Sequence, residues 1–226
     1  MLKDATIVFD LDGTLVDTAP DLTNTLNHVL MTHGYQPVAA SCVREAVGRG
    51  ARAMIEQALG FTGDDSAVEA MLSDFLVHYE ANITVESRPF PGSIDALKRL
   101  KAAGARLAVC TNKRERLTRL LLQALEIDHH FTAIAGRDTF GVSKPDPRHL
   151  LGVIAAAGGG PDRALMVGDS AVDIRAARGA DVPSILVSFG YCPPPPEGPR
   201  PDAVIDHFDM LEKGVLPLLS RLTEKA

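Results

Sequence analysis

The stretch Thr6-Ile7-Val8-Phe9-Asp10-Leu11-Asp12-Gly13-Thr14 decides how the rest of the chain is read. A short apolar run ending in two carboxylates one residue apart predicts a buried strand that carries charge to the carboxyl edge of a sheet, where the ligand sites of α/β proteins form. Two unpaired anions are costly there. Each raises the other's pKa unless a positive charge stands between them, and a divalent cation that prefers oxygen, such as Mg2+, supplies that charge in one ion. Asp10 and Asp12 are therefore candidate metal-site residues. The same stretch also reads as a plain strand followed by an Asp-Gly turn, so the remaining chain has to separate the two.

Immediately downstream, Thr18 is placed to cap a helix with Pro20 in its first turn, Leu22, Leu26, Val29 and Leu30 on one face, and Gly34 as a stop. Everything from there to about Arg88 has helical periodicity. A short segment from Ser41 to Val47 is interrupted by Gly48-Arg49-Gly50 and continued by Met54, Ile55, Ala58 and Leu59. Val68, Met71, Leu72, Phe75, Leu76 and Tyr79 then mark a longer helix. A block without strand signal between a buried first strand and later strands predicts a helical insertion, joined to the core near Val16 and near Ser87 to Pro91.

Beyond Pro91-Gly92 helices and strands alternate. Helices are expected at Ser93 to Ala103, Glu115 to Glu126, Pro147 to Ala157 and Ala171 to Gly179. Strands are expected at Arg106 to Thr111, Thr132 to Gly136, Ala164 to Gly168 and Ser184 to Ser188. This rhythm predicts βαβ units and a doubly wound parallel sheet with helices on both faces. The domain organisation that follows is an α/β core from 1–16 and 88–226 with a small all-α cap domain at 17–87. The Pro193 to Pro196 tract predicts an exposed extended loop, Ala203 to Ile205 a last short strand, and Phe208 to Leu222 a terminal helix perturbed by Pro217.

Placing the strand ends side by side gathers the chemistry. The first ends at Asp10 and Asp12, the second at Thr111-Asn112, and the fourth at Gly168-Asp169-Ser170 with Asp173 one turn on. Ser143-Lys144-Pro145 leads into a helix between the last two. Singly, Thr111 reads as a helix cap, Lys144 as a surface charge, and Asp169 and Asp173 as first-turn acids. Together they exceed what a fold requires, because no fold needs acids at two strand ends, a hydroxyl at a third and a lysine beside them. Such a set can hold a metal and a phosphoryl group.

Composition sets the limits. At 226 residues and 46% hydrophobic content the chain buries a full core with room for a second small unit. A net charge of -6 removes any general attraction to nucleic acid or an anionic membrane, so a bound phosphate needs a local site. Cys42, Cys110 and Cys192 are odd in number and widely spaced, which points to reduced thiols rather than a disulfide framework or zinc site. With no signal-peptide pattern at Met1-Leu2-Lys3-Asp4 and no apolar run of spanning length, a soluble cytoplasmic protein, monomer or homodimer, is expected.

Phe9-Asp10-Leu11-Asp12-Gly13-Thr14, Thr111-Asn112, Lys144-Pro145 and Gly168-Asp169-Ser170-Ala171-Val172-Asp173 resemble the four ordered motifs of the haloacid dehalogenase superfamily. The helical insertion after the first motif is similar to the cap of its first subclass. Asp17-Thr18-Ala19-Pro20-Asp21-Leu22, Val47-Gly48-Arg49-Gly50-Ala51, Phe90-Pro91-Gly92 and Pro201-Asp202-Ala203-Val204-Ile205 resemble its phosphoglycolate phosphatases.

The resemblance implies Asp10 as nucleophile and Asp12 as acid and base, acting on a small phosphoester substrate. It implies Mg2+ held by Asp10, the Asp12 carbonyl and Asp169, with Asp173 and Ser170 behind them. Thr111, Asn112 and Lys144 would bind the phosphoryl oxygens. An acid two residues after the nucleophile favours phosphoester chemistry over dehalogenation. Gly48, Arg49 and Gly50 are expected to set substrate choice, with Arg49 a candidate for a substrate carboxylate or an exposed arginine without a partner. A sugar-phosphate mutase, hydrolases of sugar phosphates, nucleotides or pyrophosphate, and a non-enzymatic regulator are the alternatives.

Overall fold

A computed structural model describes residues 2–60, 65–194 and 197–223. Six strands form one parallel sheet in the order β5-β4-β1-β6-β7-β8. They are β1 (Thr6–Phe9), β4 (Arg106–Cys110), β5 (Ala133–Ala135), β6 (Ala164–Gly168), β7 (Ser184–Val187) and β8 (Ala203–Ile205). All six stand where the alternating pattern predicts them. β1 lies at the centre, with Thr6 to Phe9 opposite Arg106 to Val109 on one side and Ala164 to Val167 on the other.

The uniformly apolar strands hide a strict alternation. Ile7, Phe9, Leu107, Val109, Leu165 and Val167 enter one core, whereas Val8, Ala108, Cys110 and Met166 enter the other. Helices α5 (Ser93–Ala102), α6 (Glu115–Ala124) and α9 (Leu211–Thr223) cover the first face through Leu97, Leu121 and Val215. Helices α7 (Pro147–Ala156) and α8 (Ala171–Gly179) cover the second through Val153, Ile154 and Ala177. The chain steps outward from β1 through β4 to β5, then crosses back to β6. With right-handed crossovers, that reversal moves the helices to the opposite face and opens a crevice at the carboxyl end of the central strand.

Four helices intervene between the first strand and the rest: α1 (Ala19–Thr32), α2 (Ala40–Ala46), α3 (Ala51–Ala58) and α4 (Asp65–Ala81), with a 3-10 turn at Val47–Arg49. Val68, Met71, Phe75 and Tyr79 form the buried stripe of α4. Two features differ from expectation. A two-stranded antiparallel ribbon, β2 (Val16–Asp17) and β3 (Arg88–Pro89), joins this block to the core; pairs this short carry no periodic signal. Helix α9 runs through Pro217 to Thr223, preceded by a 3-10 turn at Phe208–Met210. Pro193 and Pro194 lie outside regular structure, and Pro195 and Pro196 lie outside the described residues. Among the described residues no helix is long and apolar enough to cross a membrane, and the three cysteines are free thiols.

Candidate active site

The sheet delivers Asp10 from the end of β1, Thr111 and Asn112 from β4, and Asp169 from β6, all buried. Carboxylate oxygens of Asp10, Asp169 and Asp173 lie within 4.8 Å of one another. Lys144 stands in their midst, its side chain 1% exposed, with Nζ 2.8 Å from Asp10 Oδ1 and 2.6 Å from Asp173 Oδ1. The loop that carries it leads into α7, capped by Asp146, which accepts from the Arg148 amide.

Backbone amides fix the individual acids. Leu11 N donates to Asp10 Oδ1 at 2.7 Å, and Tyr191 N donates to Asp169 Oδ2 at 2.7 Å. Asp173 closes a capping box at the start of α8, its Oδ2 accepting from Ser170 N and Oγ. The structural reading of Asp173 as a first-turn acid is therefore correct as far as it goes, but its other oxygen reaches Lys144 and the cluster. Asp173 thus stands within 4.8 Å of Asp10 and Asp169 and is joined to Asp10 through Lys144. Gly13 is required at its place: φ is +81°, and a Cβ there would stand 2.4 Å from Asp169 Oδ2.

Electrostatics supports a cation. Burial first, and then the neighbouring carboxylates, push the Asp10 carboxyl up to about 7 and that of Asp169 up to about 8, against the lowering effect of Lys144. Burial also works against the charge of Lys144, but Asp10 and Asp173 outweigh it and raise its pKa. Three carboxylates thus face one ammonium, and the deficit is what a divalent ion with oxygen ligands offsets. The donor set fits such an ion.

Asp12 stands apart from that cluster. Its Oδ1 accepts from Thr18 Oγ1 at 2.7 Å and pairs with Lys113 Nζ at 2.9 Å. The Thr18 hydroxyl, expected to cap α1, is committed to Asp12 instead, and α1 has no side-chain cap. Lys113 was not singled out by sequence, because one lysine at a helix entrance looks like any surface charge; its only signal is adjacency to Thr111-Asn112. Burial opposes its charge, and Asp12 more than restores it. Tyr191 closes the other side. Its hydroxyl donates to Asp17 Oδ1 at 2.5 Å and accepts from the Thr18 and Ala19 amides.

A cleft of about 530 Å3 lies between the helical insertion and this sheet edge, with Asp12, Gly50, Tyr79, Asn112 and Lys113 in its wall. Asn112 ties the two sides together, donating from Nδ2 to the carbonyls of Gly48 at 2.9 Å and Lys144 at 3.0 Å. The Thr111 hydroxyl accepts from the Lys113 amide. Of the three, Gly50 stands at the cleft; Gly48 meets the site only through its carbonyl, which accepts from Asn112, and Arg49 is exposed, turned away to Gln57 Oε1 at 2.5 Å, and contributes nothing to the lining.

A buried acid cluster with a lysine at the carboxyl edge of a doubly wound sheet, next to a second paired acid and under a helical insertion, defines the haloacid dehalogenase-like hydrolases, and the chain belongs to that family. The family described as "Haloacid dehalogenase-like hydrolase" matches residues 7–187. The "Phosphoglycolate phosphatase" of Mesorhizobium japonicum is 49% identical over 208 residues, 91% of this chain and 92% of that protein. That of Caulobacter vibrioides is 46% identical over 222 residues, covering 97% and 94%. A crystal structure of a "predicted phosphoglycolate phosphatase" from Haemophilus somnus superposes with a TM-score of 0.86 at 29% identity, covering 94% of this chain and 98% of that one.

Proposed function

We propose that this protein is a cytoplasmic Mg2+-dependent phosphatase that converts 2-phosphoglycolate to glycolate and inorganic phosphate through an aspartyl phosphate on Asp10. The observation that carries the reading is the division of two near-adjacent carboxylates. Asp10 belongs to the acid cluster with Lys144, while Asp12 is held outside it by Lys113 and Thr18. Two acids in separate environments suit two separate roles. The substrate follows the names of the relatives that match almost end to end.

Asp10 and Asp169, with the Asp12 carbonyl, would hold Mg2+, and Asp173 would steady them through Lys144 and Ser170. The ion, when bound, screens the charge of the phosphate from that of the nucleophile. A carboxylate oxygen of Asp10 attacks phosphorus; the ester P–O bond breaks, and Asp12 gives its proton to the departing alkoxide. Asp12, now a carboxylate, takes a proton from water as the water attacks the acyl phosphate, which frees phosphate and restores both groups. Lys144 uses two N–H bonds on Asp10 and Asp173 and keeps a third for a phosphoryl oxygen. The Thr111 hydroxyl and the Asn112 backbone amide supply further donors, with Gly48 and Gly50 allowing close approach from above. Residues 17–87 serve as the cap over a core of 1–16 and 88–226.

A panel of 2-phosphoglycolate, hexose phosphates, mononucleotides and pyrophosphate under Mg2+ tests the reading. The expected result is the highest kcat/KM for 2-phosphoglycolate by at least about tenfold, a margin of about 1.4 kcal/mol. Isomerised sugar phosphate without free phosphate would show a mutase instead.

The acid cluster also fixes a pH dependence. Folded and metal-free, Asp10 and Asp169 keep their protons to about pH 7 and 8, whereas the unfolded chain loses them near 4. The folded state therefore binds more protons across that window, and its stability falls as pH rises through it. Mg2+ needs the deprotonated acids and restores what they lose. Thermal denaturation with and without Mg2+ should show a stabilisation several degrees larger at pH 8 than at pH 5.5. An increment independent of pH would separate Mg2+ binding from these acids.

A further inference from the structure

The cleft contains two hydrogen-bond donors whose capacity the fold does not use. Tyr79, in the last turn of α4, is 1% exposed; its hydroxyl oxygen lies beside the Lys113 ammonium, and its O–H meets no acceptor among the described residues. A buried O–H without an acceptor is costly, so an acceptor brought by a ligand is its natural complement. The Lys113 side chain is 6% exposed; its Nζ lies 4.7 Å from the centre of the Tyr79 ring and 2.9 Å from Asp12 Oδ1. One carboxylate leaves an ammonium with N–H bonds to spare. Both side chains form the wall of one cleft, with Leu22 and Phe75 as apolar neighbours.

We infer that Lys113 and Tyr79 form the subsite for the carboxylate of the substrate's leaving group, with the ammonium on one oxygen and the phenol donating to the other. This rests on the proposed reading that Asp12 protonates the ester oxygen, which brings that oxygen within hydrogen-bond reach of the Asp12 carboxyl. In a 2-phosphoxy acid the carboxylate carbon is two bonds from the same oxygen. A group that close to Asp12 is also close to Lys113, which shares the Asp12 carboxylate. An ester lacking the carboxylate leaves the phenol O–H without an acceptor, and a site built to pair a polar group rejects the analogue without it.

Other cations near the cleft are less suited. Arg52 is occupied by Glu56 and Glu69. Arg114 and Arg137 are exposed at the lining, with no ion pair among the described residues, where water weakens their pull. Arg49 points to Gln57. Recognition of the acid end thus falls to the residue beside the phosphate-binding pair and to one phenol reaching down from the insertion.

The test compares 2-phosphoglycolate with ethyl phosphate, in which a methyl group replaces the carboxylate, in the wild type, Tyr79→Phe, Lys113→Met and Lys113→Arg. Lys113 also holds Asp12, so the readout is the ratio of kcat/KM for the two esters. Tyr79→Phe is expected to lower that ratio about tenfold through KM, and Lys113→Met about a hundredfold, as for hydrogen bonds to a charged group, with partial rescue in Lys113→Arg. A ratio unchanged in both Tyr79→Phe and Lys113→Met overturns the subsite while leaving 2-phosphoglycolate hydrolysis in place. A wild-type ratio near one overturns the substrate reading itself, and the subsite with it.

Discussion

Replacing Asp10 with asparagine is expected to lower phosphate release by about 10^4-fold or more while leaving the fold intact. Asparagine occupies nearly the same volume, and its amide oxygen can still accept from Leu11 N. What disappears is the anionic oxygen that bonds to phosphorus, for which no neighbour substitutes. Asp169 is fixed by Tyr191 N, and Asp173 by Ser170 and Lys144. Because burial disfavours the Asp10 charge, the neutral side chain should raise the melting temperature of the metal-free protein at pH 8 rather than lower it. Phosphate release from 2-phosphoglycolate and from an aryl phosphate, with thermal denaturation alongside, reads both effects. Retention of more than about a tenth of the rate would remove Asp10 as the nucleophile.

Lys144→Met should damage stability and catalysis together, in a way that depends on pH. The ammonium is the only cation paired with the acid cluster among the described residues, in contact with both Asp10 and Asp173. Removing one member of a buried ion pair costs about 3–5 kcal/mol, because the partner charges stay behind. For a chain of this size that is a fall of about 10 °C in melting temperature. The fall should be largest for metal-free protein at pH 8 and smaller at pH 5.5, where Asp10 and Asp169 can take up protons. Adding Asp173→Asn should recover part of the stability and none of the activity. The rate itself should drop by about 10^3-fold with the loss of a donor to the transferring phosphoryl group. A melting temperature unmoved at pH 8 would mean that the cluster has another source of compensation.

The sheet was legible because its strands are short apolar runs separated by helical periods, and a parallel sheet buried on both faces has this appearance. The strand ends were legible for a related reason. Parallel strands finish along one edge, so Asp10, Thr111, Asn112 and Asp169, each within two residues of a strand's end, had to come together. Lys144 could be added because its loop leads from that edge into α7.

Residues whose partners come from elsewhere in the chain were not legible. Lys113 gives no sign in sequence that its ammonium turns back to Asp12, and Tyr79 reads as one more member of the α4 stripe, which by burial it is. Arg49 drew attention because it is a charge between two glycines, yet the turn that those glycines allow sends its side chain outward. Thr18 had the right identity for a cap but a stronger claim on its hydroxyl, the carboxylate of Asp12.

The ribbon of β2 and β3 sets Val16 opposite Pro89 and Asp17 opposite Arg88, so the chain leaves the sheet and returns to it at neighbouring points. Asp21 fastens the return, accepting from the amides of Glu86 and Ser87 and from the Ser87 hydroxyl. Everything that lies between is attached to the catalytic edge as if through a single socket about 5 Å across, the spacing of paired strands. Insertions of quite different length and shape can be exchanged at such a socket without disturbing the register of the sheet. The acids at the sheet edge therefore keep their positions whatever the length and shape of the insertion.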